Sequence, residues 1–272
     1  MHLNIEHSTH YTYPNAVDYT IQQLRLTPQD GFGQRVKNWT IRVNGRAQPY
    51  ADAFGNQSHT LVLDTPHSEI NITAYGEVET GLDTLPPVDP LPLPVYLRAT
   101  ALTTIEGPLT EFAQYFGKPG GGLGKIELYA LMRAVRDRVV PRESGPEDPA
   151  AAAEAFAAGI GTSQDHAHVF IACCRYLGVP ARYVSGYLIT DDGGLMQSHA
   201  WADVYLVDGW LSFDVSNGCR TNGTYIRLAV GLDYRGACPV SGIRPGGSLE
   251  SMNTIVLVNN LHSTQLQQQV QQ

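Results

Sequence analysis

Residues 159–178 decide the fold and read Gly-Ile-Gly-Thr-Ser-Gln-Asp-His-Ala-His-Val-Phe-Ile-Ala-Cys-Cys-Arg-Tyr-Leu-Gly. The stretch opens as a glycine-rich turn and continues as a helix, because apolar residues recur at helical spacing from Ala167 to Leu177. Gly178 supplies the stop signal. Ser163 stands where the turn becomes the helix, so its side chain would face free backbone N–H groups and the positive end of the helix dipole. That environment favours a nucleophile that must carry negative charge.

Two residues downstream of this helix could serve such a nucleophile. His199 begins an alternating strand pattern and is the only histidine between the helix and Asp214. Unperturbed imidazole titrates near neutral pH, so His199 can exchange a proton with a hydroxyl or a thiol. Asp214 ends the partner strand, where a carboxylate could hold the imidazole tautomer. The sequence therefore predicts catalytic roles for Ser163, His199 and Asp214.

The residue spacing along the two predicted strands does not favour a direct contact between His199 and Asp214. A two-residue turn at Asp208-Gly209 would place Asp214 opposite Asp203, which shares a strand face with His199 but lies four residues away. Direct contact would then need a wider turn or a bulge. Spacing alone leaves the pairing of this histidine open.

The composition is that of a globular protein with enough material for a sizeable core. The 272 residues are 43% hydrophobic. The net charge is −8 and no basic cluster follows a predicted helix, which argues against nucleic-acid binding. We see no signal-peptide pattern and no apolar run of membrane-spanning length, so no membrane partner is expected. The four cysteines contain no CxxC motif, which argues against a disulfide framework or zinc site and favours a cytoplasmic setting.

A proline-rich segment divides the chain. Residues 1–84 contain short alternating patterns separated by turn signals, which predicts an antiparallel β-sandwich or barrel domain. Residues 85–95 are expected to be an extended linker. Residues 96–264 combine helices with further strands, and residues 265–272 form a polar tail of low complexity. The predicted fold class is α+β, with a helix packed on an antiparallel sheet.

The elements predicted after the linker follow from periodicity and turn signals. Their order is a helix at Pro108–Phe116, a helix at Ile126–Val140, a short helix with Asp148 as its N-cap, the central helix, a strand at Ala181–Ile189, an Asp-Asp-Gly-Gly turn at 191–194, and strands at His199–Leu206, Trp210–Asp214, Tyr225–Val230 and Thr254–Asn259.

Several residues of the central stretch have structural alternatives. Ser163 could be only an N-cap, and Asp165 is expected to be a structural acid that complements the helix dipole. His166 and His168 form His-x-His, but residues two apart on a helix point in different directions, so no metal site is expected. His166 could line the site, with packing or exposure as the default. Adjacent Cys173-Cys174 is expected to be buried.

Five segments in a fixed order resemble the bacterial transglutaminase-like family, whose members are often assigned as cysteine proteases. They are Gly-Thr-Ser-Gln-Asp-His-Ala-His at 161–168, Leu-Gly-Val-Pro-Ala-Arg-Tyr-Val-Ser-Gly-Tyr at 177–187, His-Ala-Trp-Ala-Asp-Val-Tyr at 199–205, Gly-Trp-Leu-Ser-Phe-Asp-Val-Ser-Asn-Gly at 209–218, and Ala-Val-Gly-Leu-Asp-Tyr-Arg-Gly-Ala-Cys-Pro-Val-Ser-Gly at 229–242. The resemblance also covers the N-terminal β region, and so nearly the whole chain.

This resemblance implies a papain-like core with a Cys-His-Asp triad and no cofactor. The nucleophile would fall on position 163, the base on His199 and the orienting acid on Asp214. The chain departs from the family at the first of these, because Ser163 stands where the family has Cys. Either the serine was introduced deliberately, or it is natural in a weak, altered or inactive protein. We favour the first, because every other motif position is kept.

Two classes of function remain open at this stage. One is a thiol acyl-transfer enzyme, protease or amidase that acts on amide bonds of peptides or glutamine-type side chains and is nearly inactive with Ser163. The other is a non-catalytic descendant that binds a peptide in the same cleft. In both classes of function, we expect the partner to be a peptide or a protein. The sequence distinguishes neither hydrolase from transferase nor one oligomeric state from another.

Overall fold

The protein is described by a computed structural model that covers residues 1–142, 149–190, 196–243 and 251–260. Before the linker the strands are β1 (His2–Val17), β2 (Thr20–Leu24), β3 (Gln34–Val43), β4 (Arg46–Ala51), β5 (Gln57–Leu63) and β6 (His67–Thr80). The helices are α1 (Pro108–Phe116), α2 (Lys125–Arg138), α3 (Ala152–Ala158), α4 (Ser163–Tyr176) and α5 (Tyr234–Ala237). The later strands are β7 (Val140–Pro141), β8 (Ile160–Gly161), β9 (Ala181–Ile189), β10 (Met196–Leu206), β11 (Gly209–Asp214), β12 (Cys219–Arg220), β13 (Tyr225–Gly231), β14 (Val240–Ile243) and β15 (Ser251–Asn260).

The N-terminal strands form the predicted antiparallel β-sandwich. One sheet has the order β15-β1-β6-β3 and the other has the order β14-β2-β5-β4. Alternation fixes which face is buried, as in β6, where Ile70, Ile72, Ala74 and Val78 point inward. These residues join Leu61 and others in one hydrophobic cluster. The polar residues between them stay on the outer faces.

Two strands from the C-terminal part of the chain return to this sandwich. β14 pairs with β2, and β15 pairs with β1 along ten residues, both antiparallel. The N-terminal sheets are therefore completed by residues that follow the central helix in sequence. The domain boundaries proposed above stay a prediction.

The proline-rich segment is held in place by one of its charged residues. Leu85 and Val88 in this segment are exposed. Asp89 instead accepts hydrogen bonds from Arg182 at 2.7 Å and from Trp210 Nε1 at 3.1 Å. The Tyr96 hydroxyl also donates to Asp89. The linker is thus attached to the central sheet at this residue.

The helix at the centre of the chain is buried on all sides. α4 packs against β10 and β9 on one side and against α1, α2 and α3 on the others. Its residues from Asp165 to Arg175 are all buried, which is typical of a helix in the middle of a core. Gly178 then takes a φ of +83°, a conformation that favours glycine, and the chain turns into β9. No helix of the described segments is long and apolar enough to cross a membrane.

Several predicted boundaries were wrong. α2 ends at Arg138, because Val140 and Pro141 form the short strand β7 beside β8. The third helix begins at Ala152, whereas its proposed cap Asp148, the turn at 191–194 and the tail at 265–272 lie outside the described residues. Periodicity and turn signals in the sequence did not predict the short elements β4, β7, β8, β12, α5 and β14.

The turn between β10 and β11 lies one residue earlier than predicted. Leu206 pairs with Gly209, so Val207 and Asp208 form the turn and Gly209 is already the first residue of β11. Gly209 has a φ of +108°, which glycine adopts without strain as the chain enters the new strand. This correction changes which residues of the two strands face each other.

A buried carboxylate ties four strands of the central sheet together. The sheet has the order β12-β11-β10-β9-β13. Asp203 on β10 accepts hydrogen bonds from Arg182 on β9 at 3.0 Å and from Arg227 on β13 at 2.8 Å. Ser212 on β11 donates to it at 2.7 Å. Burial alone would raise the pKa of Asp203, but the two guanidinium groups outweigh it and the pKa lies below its ordinary value.

We predict that Asp203→Asn destabilises the protein strongly, because it leaves the buried guanidinium group of Arg227 without its counter-charge and leaves Arg182 with Asp89 alone. The free energy of unfolding in urea should fall by about 3–5 kcal/mol. Asp64→Asn is the matched control, since the Asp64–Arg46 pair is largely exposed, and its cost should stay below about 1 kcal/mol. Equal losses in the two variants would contradict the importance of the buried network.

Candidate functional site

The start of α4 is fixed by an acid just inside the helix. Thr162 precedes the helix as its N-cap, and its N–H and hydroxyl donate to Asp165 Oδ2 at 2.8 and 3.0 Å. The N–H of Ala150 donates to the other oxygen of Asp165 at 2.9 Å. Gly161 passes so close that an added Cβ would lie 2.8 Å from the Cβ of Asp165. Asp165 is therefore the structural acid expected from the sequence.

Ser163 is the first residue of α4 and is partly buried. Because Thr162 is the N-cap, Ser163 does not fill the capping role that was its structural alternative. The backbone N–H groups of a first helical turn have no carbonyl partner within the helix. Position 163 therefore lies beside donors that can stabilise an anion.

His199 and Asp214 lie in direct contact. The Nε2 atom of His199 lies 2.7 Å from Asp214 Oδ2. Ala202 pairs with Phe213 across β10 and β11, so Asp214 comes next to Trp201, two residues from His199 on the same face. A diagonal pair of this kind is within reach of an aromatic side chain. The corrected turn provides the contact without a bulge.

Asp214 is held by several donors besides the histidine. Its Oδ1 accepts hydrogen bonds from the Ser216 hydroxyl at 3.0 Å and from the N–H of Asn217 at 3.1 Å. Its Oδ2 accepts from Asn217 Nδ2 and from the Tyr225 hydroxyl, both at 2.7 Å. Burial alone would raise the pKa of Asp214, but the hydrogen bond and charge of His199 and these donors lower it to about 2. The carboxylate is therefore ionised at neutral pH.

An ionised carboxylate only accepts hydrogen bonds, so the His199 ring carries its proton on Nε2. The Nδ1 atom makes no hydrogen bond to any residue in the described ranges, and the His199 side chain is 9% exposed. The ring is flanked by Trp201 at 6.5 Å in a stacked arrangement and by Tyr225 at 6.0 Å between centroids. This tautomer leaves Nδ1 free to accept a proton.

The structure brings two of the three predicted site residues into contact. Within the described chain, no hydrogen bond joins the Ser163 hydroxyl to His199. Ser163 and His199 are linked less directly, because α4 begins at Ser163 and packs on β10, the strand that carries His199.

The other histidines and cysteines of α4 have structural roles. His166 is buried, and its two ring nitrogens each lie 2.7 Å from a backbone carbonyl oxygen, those of Thr162 and Val139. His168 accepts the N–H of Tyr234 at 3.0 Å, and burial lowers the pKa of this histidine to about 4. No group of three or more side chains suited to bind a metal occurs among the residues that the structure covers.

Cys173 and Cys174 do not compete for the role of nucleophile. Both side chains are completely buried in the middle of α4. Burial raises the pKa of both thiols, so they stay protonated and unreactive.

The sequence did not predict the three residues besides His199 that donate to Asp214, which are Ser216, Asn217 and Tyr225. Asn217 follows Asp214 by three residues, and the Asp-Val-Ser-Asn pattern is a signal that could have revealed it. Tyr225 lies on a predicted strand, but nothing in its sequence neighbourhood indicates that its hydroxyl reaches Asp214. Only the arrangement of the sheet brings the two together.

We predict that the protein becomes less stable in acid because protonation of Asp214 removes its stabilising contribution. Its pKa is 3.8 ordinarily and about 2 in the folded state, so its contribution is complete above 3.8 and is lost as the pH falls toward 2. The contribution is on the order of 2 kcal/mol. Unfolding in urea should therefore show a free-energy difference between the unsubstituted chain and Asp214→Asn that shrinks as the pH falls across this range. A difference that stays constant would contradict the lowered pKa.

The chain is similar to known proteins in two of its segments. Residues 3–79 match the family described as the bacterial transglutaminase-like N-terminal region, and residues 123–215 match the transglutaminase-like superfamily. An uncharacterised protein of Mycobacterium leprae is 26% identical over 95% of this chain and 99% of its own length. One of Mycobacterium tuberculosis is 27% identical over 88% of this chain and 86% of its own length.

A solved structure shares the fold. It is the crystal structure of a candidate cysteine protease from Cytophaga hutchinsonii, with a TM-score of 0.75 and 19% identity over 96% of this chain and 91% of that chain. At this identity the likeness concerns the fold alone. The two family matches, which cover the β-sandwich strands and the segment from α2 to Asp214, show that this chain belongs to the transglutaminase-like superfamily.

Proposed function

We propose that this chain has the site of a thiol acyl-transfer enzyme, a cysteine protease or amidase of transglutaminase-like type, with Ser163 in place of the thiol. The observation that carries the proposal is the His199–Asp214 hydrogen bond of 2.7 Å, with the Nδ1 atom of His199 left unbonded. A base held in one tautomer by a buried carboxylate is the arrangement that nucleophilic acyl transfer needs. The substrate would be an amide of a peptide or of a glutamine-type side chain.

The proposed reaction of the thiol form has two stages. His199 takes the thiol proton on Nδ1, and the thiolate attacks the carbonyl carbon while backbone N–H groups at the start of α4 stabilise the oxyanion. The imidazolium then gives its proton to the leaving amine, the C–N bond breaks, and a thioester remains. Water or a second amine attacks the thioester and releases the thiol, which gives hydrolysis or transfer respectively.

Ser163 weakens this chemistry for a physical reason. An ordinary thiol has a pKa of about 8.5, which a helix N-terminus and a neighbouring imidazolium lower further. An aliphatic hydroxyl cannot become a resident anion near neutral pH and must lose its proton during the attack. Oxygen also forms a shorter bond to carbon than sulfur does, so the hydroxyl reaches less far toward a carbonyl. We expect little amidase activity from Ser163.

We place this reaction in the cytoplasm. All four cysteines are free in the structure, and the sequence pattern contains no disulfide framework.

A non-catalytic role is the second candidate, and the serine at position 163 is the observation that favours it. In that role the same cleft would bind a peptide without cleaving it. The two candidates differ in what a thiol at position 163 would do.

We predict that Ser163→Cys raises acyl transfer from activated esters and glutamine-containing peptides by several orders of magnitude over the Ser163 chain. The physical reason is the thiolate that His199 and the helix start can stabilise. Release of the leaving group should be followed with and without an added amine, which separates transfer from hydrolysis.

The double variant Ser163→Cys with His199→Ala is the matched control, because it keeps the thiol and removes the base. It should lose about 10²–10⁴-fold of the gained rate. No gain from Ser163→Cys, combined with peptide binding by the Ser163 chain, would overturn the enzymatic proposal and support the binding role.

A further inference from the structure

A tyrosine from a separate strand reaches the candidate pair. Tyr225 is the first residue of β13, and two strands, β9 and β10, lie between β13 and β11 in the sheet. Its hydroxyl nevertheless lies 2.7 Å from Asp214 Oδ2, the same oxygen that accepts from His199. This contact comes from the tertiary fold and is not a product of strand pairing.

The position of the Tyr225 hydroxyl is fixed from several sides. The residue is 8% exposed, and its ring lies edge-on to Trp201 at 5.6 Å and 6.0 Å from the His199 ring. Cys219 Sγ lies 3.5 Å from the phenolic oxygen. Since the phenol gives its own proton to the carboxylate, the thiol is the donor in this second contact.

The Tyr225 hydroxyl remains a donor throughout the working pH range. Burial raises the pKa of this phenol far above its ordinary value, and the nearby charge of Asp214 raises it further. Loss of the proton would place two negative charges on adjacent oxygens. The phenol therefore keeps its proton and the hydrogen bond to Asp214 is kept with it.

Tyr225 differs from the other donors to Asp214 in where it comes from. Ser216 and Asn217 follow Asp214 directly in the chain and move together with it. Tyr225 is attached to β13, which pairs with β9, and β9 in turn pairs with the strand of His199. It is thus the donor that fixes the carboxylate relative to the strands on the histidine side of the sheet.

We propose that Tyr225 is a positioning residue that holds the Asp214 carboxylate toward His199, so that the imidazole keeps its proton on Nε2 and presents Nδ1 to position 163. This role rests on the proposed function. This role does not require Tyr225 to contact the substrate. The phenolic hydroxyl, and not the aromatic ring, is the group that matters.

The test uses Tyr225→Phe, which removes the hydroxyl and keeps the ring. In the Ser163→Cys background, kcat should fall by about ten- to a hundredfold, as expected for losing a hydrogen bond to a charged group, while KM changes little. In the Ser163 chain, Tyr225→Phe should shift or broaden the low-field NMR resonance of the His199 Nε2 proton. Tyr205→Phe is the matched control, because the Tyr205 hydroxyl bonds to none of the described residues while its ring packs on Trp210.

The NMR measurement separates this inference from the proposed function, because it needs no activity. An inactive Ser163→Cys variant would remove the proposed function, and the His199 resonance would still decide the role of Tyr225. A resonance that moves no more in Tyr225→Phe than in Tyr205→Phe would overturn the inference. So would a change in KM with unchanged kcat.

Should Tyr225→Phe fail to fold, 3-fluorotyrosine at position 225 keeps the shape and makes the hydroxyl a stronger donor. The His199 resonance should then shift relative to the Ser163 chain with an ordinary tyrosine at position 225. An unchanged resonance would overturn the role of the hydroxyl.

Discussion

The hydrogen bond between His199 and Asp214 across β10 and β11 is the constraint on which the candidate site depends. It requires that both side chains lie on one face of the sheet. It also requires a register that places Asp214 opposite Trp201, two residues from His199 along β10. A slip of one residue would move one of them to the opposite face. The two-residue turn at Val207 and Asp208 sets this register. The geometry of the candidate site thus depends on a turn that carries no candidate site residue of its own.

Two buried carboxylates on these strands have different partners, and only one suits catalysis. Asp203 is paired with Arg182 and Arg227, whose guanidinium groups only donate hydrogen bonds. Asp214 is paired with an imidazole and with neutral donors. Histidine side chains, unlike guanidinium groups, commonly act as proton acceptors and donors in catalysis. The first carboxylate therefore holds the strands together, and the second leaves the Nδ1 atom of His199 as a candidate proton acceptor.

Local signals in the sequence predicted α1, α4 and β9 within about one residue, because periodicity and stop signals lie within the elements themselves. They also indicated His199 and Asp214. The hairpin register could not be predicted, since a glycine next to an aspartate fits either the turn or the start of a strand. The return of β14 and β15 to the N-terminal sandwich and the contact from Tyr225 depend on long-range packing. No local pattern encodes them.

The most direct test is the pH dependence with which the thiol introduced by Ser163→Cys reacts with iodoacetamide. Peptide mapping separates that thiol from Cys173, Cys174, Cys219 and Cys238. If His199, held by Asp214, faces position 163, the reaction should titrate well below the ordinary thiol value of about 8.5, and His199→Ala should return it toward that value. A titration at or above the ordinary value that His199→Ala leaves unchanged would contradict the pairing of this base with position 163.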